Sequence, residues 1–347
     1  MGDVRLSVII PTHNRPGKLA TLLGCLRQQD LGDADYEIIV VDDNSVPPVT
    51  LPSSADGKKV TLVRLDEIER SAARNTGAAV ATGKWLVFVD DDMTVEDNFL
   101  SCHLSAHLTW PNSLVVGSIR LPDETALTSF GRFRQRLEDQ GVPKKSGLAS
   151  MPNFCTAANM SLSRELFLRI GGFDGAIVSS EDQDFALRYT ASGGRIVFWP
   201  EARAIHRDSS LDIRSYCSRN EWGSKHMIPF CRRYPDRPDN VERHRVNGPL
   251  RFGREPFKQS LRKTVKSALA FKAVREVLFF IAGLFEPSAR NGPVLERVYR
   301  LLLGAHIFRG YRAGLRLYCN GETAQASKPD LSNSNLARES PIKNNLI

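Results

Sequence analysis

Asp90, Asp91 and Asp92 follow directly on Trp85-Leu86-Val87-Phe88-Val89, so three carboxylates stand behind five apolar residues with no spacer. Packed acids repel one another unless a cation or hydrogen bonds offset the charge, and clustered oxygen donors suit Mn²⁺ or Mg²⁺. A solvated loop after a strand is the plainer account of such a triplet. A second acidic group, Ser180-Glu181-Asp182-Gln183-Asp184, precedes Phe185, Leu187 and Tyr189, which read as a helix. Exposed amides in a helix's first turn favour acids there, so capping alone explains two of these three.

The elements that must position these residues follow from hydrophobic patterning. Trp85 to Val89 has the length and the aromatic, β-branched content of a strand buried on both faces, as in a parallel sheet. Three acids cannot sit in that core, so they lie past the strand's carboxyl end, where open α/β sheets bind ligands. Leu6-Ser7-Val8-Ile9-Ile10 is a first strand, stopped by Pro11 and the polar Thr12-His13-Asn14-Arg15. Pro16 opens a helix to about Gln29, with Leu19, Leu22, Leu23 and Leu26 on one face. Tyr36-Glu37-Ile38-Ile39-Val40-Val41 is a second strand, ending in Asp42-Asp43-Asn44-Ser45.

Strand, helix and strand make a right-handed parallel βαβ unit, which brings Thr12 to Arg15 and Asp42-Asp43 to one sheet edge. Residues 46–59 form a Pro/Ser/Gly-rich loop, Val60 to Leu65 a third short strand, and Arg70 to Ala79 an alanine-rich helix ended by Thr82-Gly83. Strand ends and a helix start converging on one edge are the geometry of a mononucleotide site. Neither GxGxxG nor GxxxxGK[ST] occurs, so no glycine loop cradles phosphates. A divalent ion held by carboxylates is the alternative way to neutralise a diphosphate.

Val8-Ile9-Ile10-Pro11-Thr12-His13-Asn14-Arg15, Val41-Asp42-Asp43-Asn44-Ser45, Ala73-Arg74-Asn75-Thr76-Gly77 and Phe88-Val89-Asp90-Asp91-Asp92 resemble the successive signatures of family 2 glycosyltransferases. The resemblance continues through Asn159-Met160-Ser161, Gly171-Gly172-Phe173-Asp174 and Ser180-Glu181-Asp182-Gln183-Asp184-Phe185, over about residues 4–207. Each piece alone is common, but seven in order with compatible gaps are specific. The resemblance implies a GT-A fold, an α/β architecture with a mostly parallel central sheet flanked by helices. It also implies a nucleoside-diphosphate sugar as donor, Mn²⁺ or Mg²⁺ as cofactor, and inversion at the anomeric carbon by a single displacement.

Carried onto this chain, the resemblance gives Asp43 and the loop Pro11, Thr12, His13, Asn14, Arg15 to the nucleotide base. Asp91 goes to the ribose, and Asp92 to the metal on the diphosphate, with Asp90 as the first acid of the DxD pattern. Asp182 becomes the base that deprotonates the acceptor hydroxyl, supported by Glu181. His206 is a further metal ligand in some such enzymes, although a lone His is more often packing or surface. Arg74 lies near the diphosphate in the functional reading and on a solvated helix face in the other. Asp42 either caps its turn or binds ligand. Asn159 lines the acceptor cleft or caps the segment after Ser163, and Asp184 stands on the acceptor side.

The 347 residues carry a net charge of +8, and ten Lys/Arg against two Glu between 241 and 275 account for all of it. Charged content of 25% and hydrophobic content of 41% are ordinary for a globular chain. The six cysteines are scattered with no zinc spacing, as expected of reduced thiols in a cytosolic enzyme. Met1-Gly2-Asp3-Val4-Arg5 leads straight into a strand, without a signal-peptide pattern, and Leu6 breaks the myristoylation pattern. No apolar run reaches the roughly 20 residues of a membrane-spanning helix.

The expected organisation is a catalytic domain at 1–210, divided near 120 into donor and acceptor halves, a basic helical extension at 211–319, and a disordered tail at 320–347. Tyr216 to Met227 reads as a helix in that extension. The basic stretch runs into Val277-Leu278-Phe279-Phe280-Ile281-Ala282-Gly283-Leu284-Phe285, which has no charge, and Arg309, Arg312 and Arg316 stand among apolar residues further on. Such helices suit the surface of an anionic membrane, hence an expected peripheral position on the inner face of the cell membrane; the family resemblance implies a glycan or lipid-linked acceptor. Solvated basic faces on packed helices are the competing account. Nucleic-acid binding through 241–275 is disfavoured by the acidic edge and by the lack of a known binding motif. Nucleotidyl transfer would need a basic nucleotide motif near the N-terminus, which is not present.

Overall fold

A computed structural model describes residues 5–32, 35–51, 60–149, 152–208, 212–286 and 292–319. The tail at 320–347 and most of the 46–59 loop lie outside the described residues. The first βαβ unit forms as patterned: β1 (Leu6–Thr12), α1 (Pro16–Arg27) and β2 (Tyr36–Asp42), with β1 and β2 parallel. β3 (Val60–Arg64), α2 (Arg70–Val80) and β4 (Trp85–Val89) follow, and β4 lies parallel to β1 on its other side. Next come β5 (Met93–Val95), α3 (Phe99–Thr109), β6 (Ser113–Arg120), α4 (Ser129–Asp139), β7 (Gly147–Ala149), β8 (Asn159–Ser163), α5 (Arg164–Ile170), α6 (Glu181–Ala191) and β9 (Arg195–His206).

Among the described residues the strands form one sheet in the order β3-β2-β1-β4-β8-β6-β9-β5, with β7 paired to β9. β8 is antiparallel to β4 and β6, while β9 runs parallel to β6, so β1, β2, β4 and β9 all end at the same edge. Successive side chains of a strand point to opposite faces, and here both faces are covered. Val8 and Ile10 pack with Leu19, Leu22 and Leu26 of α1, whereas Ile9 and Val41 pack with Ala73 and Ala78 of α2. The small face of α2 is a packing requirement: a Cβ on Gly77 would come within 2.5 Å of the Ile9 side chain. α5 stops at Gly171 in the left-handed region, φ +87°, and Gly172 follows at +65°, which turns the chain toward α6.

The helices beyond residue 211 are α7 (Ile213–His226), α8 (Ile228–Arg233), α9 (Pro238–Asn247), α10 (Phe257–Leu269), α11 (Lys272–Phe285) and α12 (Pro293–Cys319). The helix expected from Tyr216 begins three residues earlier, because Asp212 caps it by accepting from the N–H groups of Arg214 and Ser215. These helices share a core with the first part of the chain. Phe130, Phe133 and Leu137 of α4 pack with Ile213 and Tyr216 of α7, Phe279 of α11 and Tyr299 of α12. No helix among the described residues is long and apolar enough to cross a membrane.

Candidate active site

The loop after β1 and the loop after β2 are tied together by backbone and side chain. Asp43 N–H donates to the Thr12 carbonyl (2.8 Å), and His13 Nδ1–H donates to the Asp43 carbonyl (2.7 Å). His13 Nε2 then accepts from the Asn14 amide at 2.7 Å, which fixes the ring. Asn14 and Asn44 take left-handed backbone, φ 53° and 60°, which Asn tolerates in tight turns. The Asp43 carboxylate is buried and accepts from the N–H of Glu69 at 2.7 Å, just before α2. Burial raises its pKa to about 6, helped by the negative charges of Glu69 and Asp42 and opposed by the Glu69 N–H and Arg70. Asp42 is structural: its carboxylate accepts from the N–H groups of Ser45 (2.9 Å) and Val49 (3.1 Å) and pairs with Arg64.

Asp90, Asp91 and Asp92 leave β4 at the same edge, all nearly buried. Thr12 Oγ1 donates to Asp91 Oδ2 at 2.7 Å, and Arg15 bridges Asp91 Oδ1 (3.2 Å) and Asp92 Oδ2 (2.9 Å). Lys18, in the first turn of α1, adds a second cation 3.6 Å from Asp92 Oδ2. Burial pushes Asp91 above the usual carboxylate range, and the negative charge of Asp92 adds to that push against Arg15. Burial works the same way on Asp92, but His206, Arg15 and Lys18 outweigh it and hold that carboxyl below its ordinary value.

Strand register explains why His206 is there. β5, immediately after the acids, pairs antiparallel with the end of β9, setting Met93 opposite His206, and Arg207 N–H donates to the Asp92 carbonyl (2.8 Å). His206 Nε2 lies 3.5 Å from Asp92 Oδ1, an ion-pair distance rather than a hydrogen bond.

The second acidic group reaches the first through α2. Arg74 is fully buried and donates to Asp90 Oδ1 at 2.7 Å and to Glu181 Oε1 at 3.1 Å. Arg70, one turn earlier, pairs with the same Glu181 oxygen at 2.9 Å. Asp182 is next in the first turn of α6, close enough to add to the field on Arg74, and its Oδ1 accepts from the N–H of Gln183 (2.8 Å). Ser180, which begins this turn, is held at φ +73°, a strained conformation for a residue other than Gly or Asn.

Two expected acceptor-side residues have other surroundings. Asn159 is fully buried, with its amide donating to the Ser118 and Ala202 carbonyls and its oxygen against His103 Nε2, so it ties β8 to β6 and β9. The cap of α5 is Ser163 instead, whose side chain accepts from Leu166 N–H. Asp184 is fully buried and engaged by Arg188, Arg233 and the Tyr234 hydroxyl, which joins α6 to α8.

Sequence reasoning passed over Lys18, Arg70 and the buried cluster of Arg134, Asp208 and Arg219, two residues from His206. A signal existed for Arg70, which stands four residues before Arg74 on one helix face. None existed for Arg134 and Arg219, whose shared acid lies on a different element.

Among the described residues no three His, Cys, Asp or Glu side chains form a ready metal cage. The donors that fit a divalent cation are Asp92 and His206. Asp92 Oδ1 is buried with no hydrogen-bond partner, and an imidazole nitrogen faces it, a donor pair suited to Mn²⁺. Asp90, expected as a third ligand, presents Oδ1 to Arg74.

Residues 7–169 match the sequence model of the family described as Glycosyl transferase family 2. An uncharacterized glycosyltransferase of Haemophilus influenzae is 31% identical over 192 residues, covering 53% of this chain and 61% of that protein. A pre-mycofactocin glycosyltransferase of Mycobacterium tuberculosis is 28% identical over 242 residues, covering 67% of this chain and 48% of its own length. The chain therefore spans less than two thirds of either relative. A mannosyltransferase from Pyrobaculum calidifontis, solved with GDP-Man and Mn²⁺, superposes with a TM-score of 0.55 at 18% identity, covering 90% of this chain and 88% of that one. That likeness concerns the fold, a central α/β sheet with flanking helices shared with GT-A glycosyltransferases. Sequence and sheet architecture converge on one conclusion: residues 7–169, somewhat under half of the chain, match glycosyl transferase family 2 and lie on an α/β sheet of the GT-A kind.

Proposed function

We propose that the chain transfers a sugar from a nucleoside-diphosphate sugar to a hydroxyl of a glycan or lipid-linked acceptor, with inversion at the anomeric carbon. The observation that carries this reading is the continuity of the rim. Asp43 and the Thr12 to Arg15 loop adjoin Asp91 and Asp92, and Arg74 joins Asp90 to Glu181 beside Asp182. In this reading the base, ribose, diphosphate and acceptor hydroxyl would follow one another along that one sheet edge.

In this reading Asp43 accepts from a base N–H and Asp91 from ribose hydroxyls. Asp92 and His206 would hold Mn²⁺ or Mg²⁺, with Asp90 beside them. When bound, that cation supplies neutralisation of the leaving diphosphate. Arg15 and Lys18, both anchored on Asp92, bring positive charge to the same place. Asp182 takes the proton of the acceptor hydroxyl while its oxygen bonds to the anomeric carbon. The bond from that carbon to the diphosphate oxygen breaks, and its electron pair leaves with the nucleoside diphosphate. Glu181, clamped by two arginines, positions the turn that carries Asp182. The GDP-Man and Mn²⁺ of the Pyrobaculum protein belong to the same class of donor and cation.

Melting the chain with UDP, GDP and dTDP, with and without Mn²⁺, tests the site, since a bound ligand stabilises by mass action. One nucleotide should raise the melting temperature most, and only with Mn²⁺. Asp92→Asn should lose the Mn²⁺-dependent increment, while Asp182→Asn should keep it and lower kcat about 10²- to 10⁴-fold. A full increment in Asp92→Asn would remove Asp92 from the cation site, and wild-type turnover in Asp182→Asn would remove the base.

A further inference from the structure

We propose that α10, α11 and the loop before them form a docking surface for an anionic lipid bilayer. This inference does not depend on the sugar-transfer reading, because it uses none of the rim residues. Among the described residues the exposed phenylalanines are Phe252, Phe257, Phe271, Phe280 and Phe285, at 76, 82, 68, 66 and 50% exposure. All of them fall within 34 consecutive positions of a 347-residue chain. Exposed apolar side chains concentrated in one segment in this way point to an interaction surface.

α11 is apolar on two sides, and among the described residues only one of them is covered. Arg275, Phe279 and Ala282 turn inward, and Phe279 and Ala282 join the core shared with α12. At about 100° per residue, Val274, Val277, Phe280 and Leu284 fall on the opposite side, and each is exposed. No charge interrupts the stretch from Val277 to Phe285. A helix apolar all round needs cover on both sides.

α10 supplies the charge. Phe257, Leu261 and Val265 recur every four residues, and Lys258, Arg262 and Lys266 form the adjacent row at the same spacing. Both rows lead into a groove of about 920 Å³ between α9, α10 and α12, floored by Val246, Leu269 and Ile307 and rimmed by Arg243 and Arg297. The entire net charge of +8 lies between 241 and 275; Lys263 and Arg275 of that segment are buried, whereas Lys258 and Arg262 are exposed. Basic rows beside apolar rows match anionic headgroups above acyl chains, where such a helix lies in the interfacial plane.

A second copy is disfavoured as occupant, because a two-fold contact through this patch sets like charge against like. Single-stranded nucleic acid would use the phenylalanines for stacking. It has no use for the aliphatic Leu261, Val265, Val277 and Leu284, and the uncharged α11 stripe cannot follow a phosphate chain.

Flotation of the full chain with vesicles of phosphatidylcholine, with and without phosphatidylglycerol, tests the proposal at low and at physiological salt. The chain should float with the phosphatidylglycerol vesicles, less so as salt rises, and poorly with phosphatidylcholine alone. Phe280→Ser with Leu284→Ser should cut partitioning about tenfold or more, from the apolar area withdrawn from the interface. Lys258→Glu with Arg262→Glu, an independent arm on another helix, should abolish the preference for anionic vesicles. Both pairs should melt with the wild type, since their side chains are exposed. The proposal is overturned by failure to float with anionic vesicles at physiological salt, or by flotation indifferent to both pairs. It is equally overturned by a dimer that Phe280→Ser with Leu284→Ser dissolves, or by oligonucleotide binding that this pair abolishes.

Discussion

Asp43 is a carboxylate kept where ionising is difficult. Burial, together with the nearby charges of Glu69 and Asp42, raises its pKa from 3.8 to about 6 despite the Glu69 N–H and Arg70. For an acid raised in the folded state, the stability contribution is present below 3.8 and lost as pH rises through about 6. Near neutrality the ionised group therefore weakens the fold, and a donor N–H on a bound base would relieve it. Asp43→Asn retains an oxygen for the Glu69 N–H and removes the charge. It should gain on the order of 2 kcal/mol at about pH 7, and little at about pH 4, by denaturant titration. The same variant should bind nucleoside diphosphate more weakly than wild type, and without the rise in affinity expected of wild type as pH goes from about 5 to 7. A site tuned for ligand at the expense of stability behaves in this way. Equal stability of variant and wild type near neutrality would show that burial imposes no such cost.

At the scale of elements, α2 joins the two acidic groups. Gly77 lets it lie close on β1, and Arg74, with no exposed surface, reaches both Asp90 and Glu181. Breaking one partner out of a buried ion network leaves an uncompensated charge, at a cost of about 3–5 kcal/mol. Arg74→Met should therefore destabilise by that amount in urea. Combined with Glu181→Gln it should recover about 1–2 kcal/mol relative to the sum of the single changes, the sign of a direct coupling. Strict additivity would mean that Arg74 does not hold the two acids together. What was legible here depended on range. The strand ends carrying Thr12, Asp42 and Val89 followed from local apolar runs, and the parallel βαβ rule put them on one edge. Arg74 read equally well as a solvated position on an alanine-rich helix, because its partner Glu181 is 107 residues away and no periodicity reports that distance. Asp184 shares its motif with Glu181 and Asp182 of the rim, yet its own bonds run into the scaffold, as do those of Asn159, and spacing cannot distinguish such cases.

For the whole molecule, the division at residue 210 suggested by the fading of the family signatures meets a core that crosses it. Phe130 and Phe133 of α4 pack on Tyr216 and Tyr299, with ring centroids 5.3–6.3 Å apart including their own pair. Below them Asp208 pairs with both Arg134 and Arg219, and each guanidinium lies over the Tyr216 ring, at 5.2 and 5.1 Å. This cluster backs on His206, whose pKa the Asp208 charge helps to raise against burial, with Asp92 the stronger cause. Helices beyond 211 therefore meet the rim-bearing part of the chain through Asp208 and α4, and among the described residues the proposed rim groups all precede these helices. A chain ending at residue 210 would keep every proposed rim residue and strip the cover from Phe130, Phe133 and Leu137. Each large side chain returned to water forfeits about 1.5–3 kcal/mol, and Asp208 would lose Arg219 as well. The total is comparable to the whole stability of an ordinary domain, about 5–15 kcal/mol. The truncated chain should fail to unfold cooperatively at the temperature of the full chain and should bind no nucleoside diphosphate. A soluble 1–210 fragment with the full chain's nucleotide and Mn²⁺ response would show instead that the catalytic half folds alone and that the shared core is dispensable to it.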